Sequence, residues 1–393
     1  MSLSSTSFQF MTASAIHFGR GKAEQAISEI AKLGSPLLLV HGRDGRRVQW
    51  LSDTLVEQGV EVVGFSVPKE PDIALIEDGV AHARATRVRA VVAIGGGAVI
   101  DAGKALAALV PALRPAMDHL EVVGKGLPLE QEPLPFAAFP TTAGTGAEVT
   151  KNAVLTVPEA ARKVSLRDPR MLPNMAIVDP ALTDNLPRAI TLASGLDAVT
   201  QVIEPYLSCK ANMLTDLICC DAIPKGMKAL TRLMEAEDKA ARDALAWTSL
   251  CGGLALANAG LGAVHGLAGV LGGVTGSAHG ALCGALLPYV LSANEEAVQT
   301  SEDLSEIVRA DLNARFAFVK NCIGGALGCS ADQAFDQLAS WSRANALPGL
   351  GDLGLEAAQI SSVAEASAVS SSMKGNPLPL PRETLETILQ AAS

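Results

Sequence analysis

The sequence predicts an α/β domain built on a parallel, Rossmann-like sheet over residues 1–186, followed by an all-α domain over residues 187–393. Up to about Leu186, short apolar runs ending in glycine alternate with helix-spaced segments, the pattern of buried parallel strands joined by crossover helices. Beyond Leu186, Ala-, Leu- and Gly-rich helical segments follow one another with few strand-like runs. A chain of 393 residues also exceeds what one ordinary core organises.

Taken in order, "PLLLVHG" reads as a buried strand, and "RRVQWLSDTLVEQG" has helical spacing closed by a glycine. "VEVVGFSV" is the next strand, "ALIEDGVAHARAT" the next helix, and "VRAVVAIGGG" a strand running into glycines. "LPFAAFPTTAGTGAE" and "MAIVDPALT" supply later strand ends. The second domain opens on "AITLASGLDAVTQVIEPYLS", continues through "ARDALAWTSLCGGLALANAG" and closes on "ETLETILQAA". The apolar stretch over 250–278 is long enough to be scored as a membrane span. Its glycines, its two histidines and the lack of flanking aromatic or basic belts predict a buried core helix and no membrane partner.

A net charge of −10 and a pI near 5.2 exclude non-specific nucleic-acid binding, which needs basic surface. The seven cysteines form no CxxC and sit mostly in apolar surroundings, which predicts buried reduced thiols and a cytoplasmic setting. The opening "MSLSSTSFQFMTASAIHFG" has no basic region followed by a long apolar core, so it does not read as a secretory signal.

Two glycine loops carry the first functional signal. "AIGGGAVIDAGKALA" leaves a strand and opens a helix, so its backbone can approach a ligand closely and the first helical amides can meet a phosphate. Asp101 and Lys104, three residues apart, form a local ion pair or contact that ligand. "FPTTAGTGAEVT" offers the hydroxyls of Thr141, Thr142 and Thr145 among glycines, suited either to a nucleotide or to ordinary turns.

A second signal lies in the helical half. Asp197 and Gln201 stand four apart on one helix face. His265 and His279, fourteen residues apart, interrupt a glycine-rich segment that has no other ionisable side chain.

Together these motifs resemble the iron-dependent (group III) alcohol dehydrogenase family. "GGGAVIDAGK" departs from its GGGSxxDxxK loop only at Ala98, and "PTTAGTGAE" from its PTTAGTGSE loop only at Ala147. "AIVDPALT" and "MKGNP" also match, and the resemblance spans nearly the whole chain. It implies a dinucleotide-binding domain, a helical domain and an active site in the cleft. It implies NAD or NADP lying against Gly95, Gly96, Gly97, Thr141, Thr142, Thr145, Lys163 and Leu182, with Gly42 at the position where many members place a ribose-binding Asp. Arg43 beside Gly42 then favours acceptance of NADP.

The resemblance further implies that Asp197, His265 and His279 are ligands of a divalent metal, Fe2+ or Zn2+, with Gln201 where the family has a histidine. A neutral amide is a weak donor, so weaker metal binding is expected. Gly269 replaces a second histidine that relatives keep near the cofactor, which opens space for a bulkier substrate. The implied chemistry is hydride transfer between nicotinamide and a small-molecule alcohol or aldehyde, in a homodimer or larger homo-oligomer. The alternatives are a metal-independent reductase of the maleylacetate-reductase kind, with His265 or His279 acting directly as catalytic donors, or a cofactor-binding protein that has lost catalysis. A lyase of the dehydroquinate-synthase type fits less well, because its polar Lys- and His-rich site is missing.

Overall fold

The computed structural model describes residues 7–160 and 162–393. The chain divides into two compact units. One holds Thr12–Thr142 and Gly146–Asp184; the other holds the described residues up to Met11, Ala143–Thr145 and Asn185–Ser393. The sequence reading places a boundary after residue 186, and the two units part at Asp184. The tripeptide of the second glycine loop and the N-terminal residues, however, belong with the helical unit.

The α/β unit contains β1 (Ala15–Phe18), α1 (Lys22–Gln25), α2 (Ile27–Ile30), β2 (Leu37–His41), α3 (Gln49–Glu57), β3 (Val62–Ser66), α4 (Ile73–Ala85) and β4 (Ala90–Gly95). It continues through α5 (Gly97–Leu109), α6 (Ala116–His119), β5 (Phe136–Pro140), β6 (Asn152–Val157), β7 (Arg162–Arg167) and β8 (Met175–Val178). Six strands form one parallel sheet in the order β1-β8-β5-β4-β2-β3. Alternate residues of one strand enter different cores: Leu38 and Val40 pack on one face, Leu37 and Leu39 on the other. Burial on both faces is why β2 and β4 are continuous apolar runs. β6 and β7 form a separate antiparallel hairpin, absent from the sequence reading.

The helical unit contains α7 (Arg188–Leu207), α8 (Met213–Glu235), α9 (Lys239–Ala259), α10 (Ala263–Thr275), α11 (His279–Thr300), α12 (Glu306–Leu327), α13 (Ala334–Ala344), α14 (Ile360–Ala368) and α15 (Arg382–Ala391). Helix α7 packs against α8, α9 and α11 and is buried almost all round. That accounts for its weak amphipathicity: beyond the exposed first turn, Arg188–Ile190, no side of it faces water. The apolar stretch expected as one core helix is instead two, α9 and α10, bent by 99° at Gly260–Leu261–Gly262. Gly260 has φ +71°, a left-handed conformation that suits glycine. Among the described residues no single helix is long and apolar enough to cross a membrane. All seven cysteines are unpaired.

Candidate functional site

In the α/β unit the chain runs from β2 outward to β3, then returns to β4 and proceeds the other way to β5, so the strand order reverses between β2 and β4. Open parallel sheets bind ligands outside the strand carboxyl ends at such a reversal. Gly42 follows β2 there, and Gly95–Gly97 end β4 and open α5. A Cβ at Gly95 would lie 2.6 Å from Val99, so only glycine allows this turn. Gly96 caps α5 without a side-chain hydrogen bond, leaving the first amides of the helix for an anion. The second glycine loop lies alongside the first: Thr141 N donates to Gly95 O at 2.9 Å, and a Cβ on Gly96 would meet the Thr142 side chain at 3.5 Å.

The remaining candidates for cofactor contact are placed differently. Lys163, on β7, pairs with Glu70 at 2.7 Å. Leu182 lies in the turn after β8, packed against the core that includes Phe139. Thr145 belongs to the helical unit. Asp101 commits both carboxylate oxygens internally: Oδ2 accepts from Val154 N at 3.0 Å, and Oδ1 faces Lys104 Nζ at 3.2 Å. Lys104, fully buried, also donates to Thr150 Oγ1 at 2.9 Å and to Asn152 O. The Asp101–Lys104 pair thus fastens α5 to the β6 hairpin. Arg43 is exposed beside Gly42, while Asp44 is engaged by Arg46 at 2.9 Å, which holds its carboxyl down at about 2.

In the helical unit, α7 carries three buried polar residues on one face, Asp197, Gln201 and Glu204, at the i, i+4, i+7 spacing. Asp197 Oδ1 is buried and has no hydrogen-bond partner. His265 Nε2 lies 3.3 Å from it, delivered by the first turn of α10, and His279 Nε2 lies 4.0 Å away, from the first residue of α11. The two imidazole centroids are 5.3 Å apart. Cys283, one turn beyond His279, places its sulfur 3.5 Å from His279 Nε2 and 3.9 Å from His265 Nε2. The four donor atoms of Asp197, His265, His279 and Cys283 all lie within 4.8 Å of one another.

The α10 entry is built to hold this arrangement. Glu204 Oε1 accepts from Val264 N at 2.7 Å, and Glu204 Oε2 meets His265 Nδ1 at 2.6 Å. A carboxylate only accepts, so Nδ1 carries a proton, and Nε2 is the atom left facing the cluster, where its lone pair is free once the ring is neutral. Asn376, in the "MKGNP" segment, accepts from Ala263 N at 3.0 Å and pairs with Asn294. Gly262 makes room for both acceptors, since a Cβ there would lie 2.8 Å from Asn376 Oδ1 and 2.9 Å from Glu204 Oε1.

The electrostatics match a cation site. Burial raises the Asp197 carboxyl, but His265 and His279 outweigh it and hold the group below its ordinary value. Burial opposes a charged His279, yet Cys283 and Asp197 bring it up to about 9. Burial likewise opposes a charged His265, and Cys283 and Glu204 place it well above its ordinary value. A divalent ion would displace those protons. The orphaned carboxylate oxygen, the oriented imidazole and the borderline-soft donor set fit such an ion.

Gln201 faces the same way as Asp197, but its Nε2 donates to Gly144 O at 2.7 Å. Gly269 is open: a Cβ there would meet nothing within 4 Å. Sequence reasoning missed two members of the site. Cys283 stands at i+4 from His279 but reads in the sequence only as one of the buried reduced thiols. Glu204 continues the 197/201 face, and its i+7 spacing was the available signal.

The N-terminal part, residues 13–180, matches the family profile described as iron-containing alcohol dehydrogenase, and residues 191–393 match that of the Fe-containing alcohol dehydrogenase family, C-terminal. The chain is 31% identical to lactaldehyde reductase of Escherichia coli over 381 residues, 95% of each protein. It is 33% identical to long-chain-alcohol dehydrogenase 1 of Geobacillus thermodenitrificans over 319 residues, covering 79% of this chain and 75% of that one. A crystal structure of 1,3-propanediol oxidoreductase superposes with a TM-score of 0.86 at 29% identity, covering 98% of this chain and 100% of the other. On the two profiles and these relatives, the chain belongs to the iron-containing alcohol dehydrogenase family of oxidoreductases.

Proposed function

We propose that the protein is an NAD(P)-dependent alcohol dehydrogenase or aldehyde reductase, and that Asp197, His265 and His279 hold a divalent metal for it. The observation that carries this reading is the convergence of two imidazoles, from α10 and α11, on one buried carboxylate oxygen of α7 that has no hydrogen-bond partner. When bound, the metal supplies Lewis-acid polarisation of a substrate oxygen, and the nicotinamide gives or takes the hydride.

The chain's own residues supply the setting. Glu204 fixes the His265 tautomer and ring orientation. His279 is the most exposed of the cluster, at 31% of its side chain, so it is the edge from which a substrate oxygen reaches the donors. The Gly95–Gly97 turn and the α5 amides receive the dinucleotide's phosphates. With glycine at position 42, Arg43 exposed beside it and the Asp44 carboxylate paired with Arg46, the end of β2 offers a guanidinium and no unpaired carboxylate to a 2′-phosphate, which supports acceptance of NADP. Open space at Gly269 supports substrates larger than the smallest alcohols. The names of the relatives, a lactaldehyde reductase and a long-chain-alcohol dehydrogenase, bracket small hydroxyaldehydes and long-chain alcohols as the first substrates to try.

A panel of alcohols and aldehydes, followed by nicotinamide absorbance with NADH and NADPH, tests the reading. Turnover of at least one chain-length class is expected. Dinucleotide binding by calorimetry without turnover of any compound would contradict it.

A further inference from the structure

Resting on the metal-assisted reading, we infer that the fourth metal ligand in this chain is the Cys283 thiolate and not Gln201, giving an Asp–His–His–Cys site that selects zinc over iron.

Geometry favours the cysteine. A tetrahedral ion with donors at about 2.0–2.3 Å holds them about 3.3–3.7 Å apart. Asp197 Oδ1 to His265 Nε2 is 3.3 Å and Cys283 Sγ to His279 Nε2 is 3.5 Å, inside that range. Cys283 Sγ to His265 Nε2 is 3.9 Å and His279 Nε2 to Asp197 Oδ1 is 4.0 Å, each a few tenths of an ångström beyond it. Cys283 is fully buried, and its sulfur faces both imidazoles from the turn of α11 that follows His279. Gly280 and Gly284 let this turn approach α7 closely: Cβ atoms there would lie 2.5 Å from Ala193 O and 2.6 Å from the Leu196 side chain. The cysteine is therefore held in place by the same close approach that brings His279 to Asp197.

Gln201 is held elsewhere. Its Nε2 is tied to Gly144 O, and its Cβ is backed by Gly252, where any Cβ would lie 2.9 Å away. A neutral amide also leaves a divalent charge only half compensated in a buried site. Asp197 and a Cys283 thiolate together neutralise it, which matters where an unpaired charge is costly. Thiolate is the softest donor of the set, and with imidazole it favours zinc over ferrous iron. No electron transfer is involved; binding releases the thiol proton to solvent.

The test uses the full chain stripped with a chelator and reloaded anaerobically with Co(II), a spectroscopic stand-in for zinc. Bound cobalt and near-ultraviolet absorption are measured together. The expected result is about one Co(II) per chain with an intense sulfur-to-cobalt charge-transfer band. Cys283→Ser is expected to keep its melting profile, lose the band, and bind zinc at least about tenfold more weakly, since even loss of an outer-shell partner costs that much. Gln201→Ala is expected to keep the band. Cobalt bound without the band, or a band that survives Cys283→Ser, overturns the cysteine assignment and leaves the metal reading standing. Failure of the wild-type chain to bind cobalt or zinc overturns both.

Discussion

Glu204 joins two functions in one carboxylate: one oxygen caps the amide of Val264 at 2.7 Å, and the other meets His265 Nδ1 at 2.6 Å. Helix entry and imidazole orientation are thereby set by the same residue. Glu204→Gln keeps the shape but offers only one accepting oxygen. Either the α10 amide or the imidazole loses its acceptor, and a chelator-competition titration should show metal affinity lowered by about 10–100-fold.

Two glycines near the site should respond in opposite ways to the same change. At Gly269 a Cβ meets nothing within 4 Å, so Gly269→Ala should raise stability by about 0.5–1 kcal/mol through helix propensity alone. At Gly280 a Cβ would lie 2.5 Å from Ala193 O, so Gly280→Ala should cost about 1–3 kcal/mol and shift His279 away from Asp197. Denaturant midpoints of the two variants check the contrast.

Glu148, in the second glycine loop, is buried, and burial raises its carboxyl from 4.5 to about 7 against the pull of Lys104. Between those values the folded chain holds a proton that the unfolded chain has released. Stability therefore falls as pH rises across that window. Glu148→Gln removes the effect. The variant should gain roughly 2–3 kcal/mol relative to the parent between pH 5 and pH 8, read from urea midpoints at each pH.

Gly42→Asp places a carboxylate at the end of β2, where a side chain has clear space. It should lower the preference for NADPH over NADH at least about tenfold, through repulsion of the 2′-phosphate and acceptance from the ribose hydroxyl. Dissociation constants for both nucleotides, measured by fluorescence titration, decide this.

The sheet was legible because its strands are buried on both faces and end in glycine, as in "PLLLVHG" and "VRAVVAIGGG". The β6–β7 hairpin was not, because β6 shows only half-buried alternation and β7 is a charged run, "RKVSLR". β1 is four residues long with no fully buried position, too short to leave a periodic signal. In the site, Asp197, His265 and His279 were singled out by the family resemblance; by themselves an Asp and a Gln four apart read as a polar helix face, and the two histidines stood out only as the sole ionisable groups of a glycine-rich segment. Cys283 was hidden by its chemistry: a thiol among alanines and leucines reads as packing until the two imidazoles are folded against it. Glu204 was hidden by distance, since the α10 turn it supports lies some sixty positions on in the chain.

Metal content and turnover, measured on the same preparation before and after stripping, test the metal-assisted reading most directly. About one zinc or iron per chain, loss of turnover on chelation, recovery on reloading, and neither metal nor recovery in Asp197→Asn are the expected results. Undiminished turnover by metal-free protein would contradict it and leave His265 and His279 as direct proton donors.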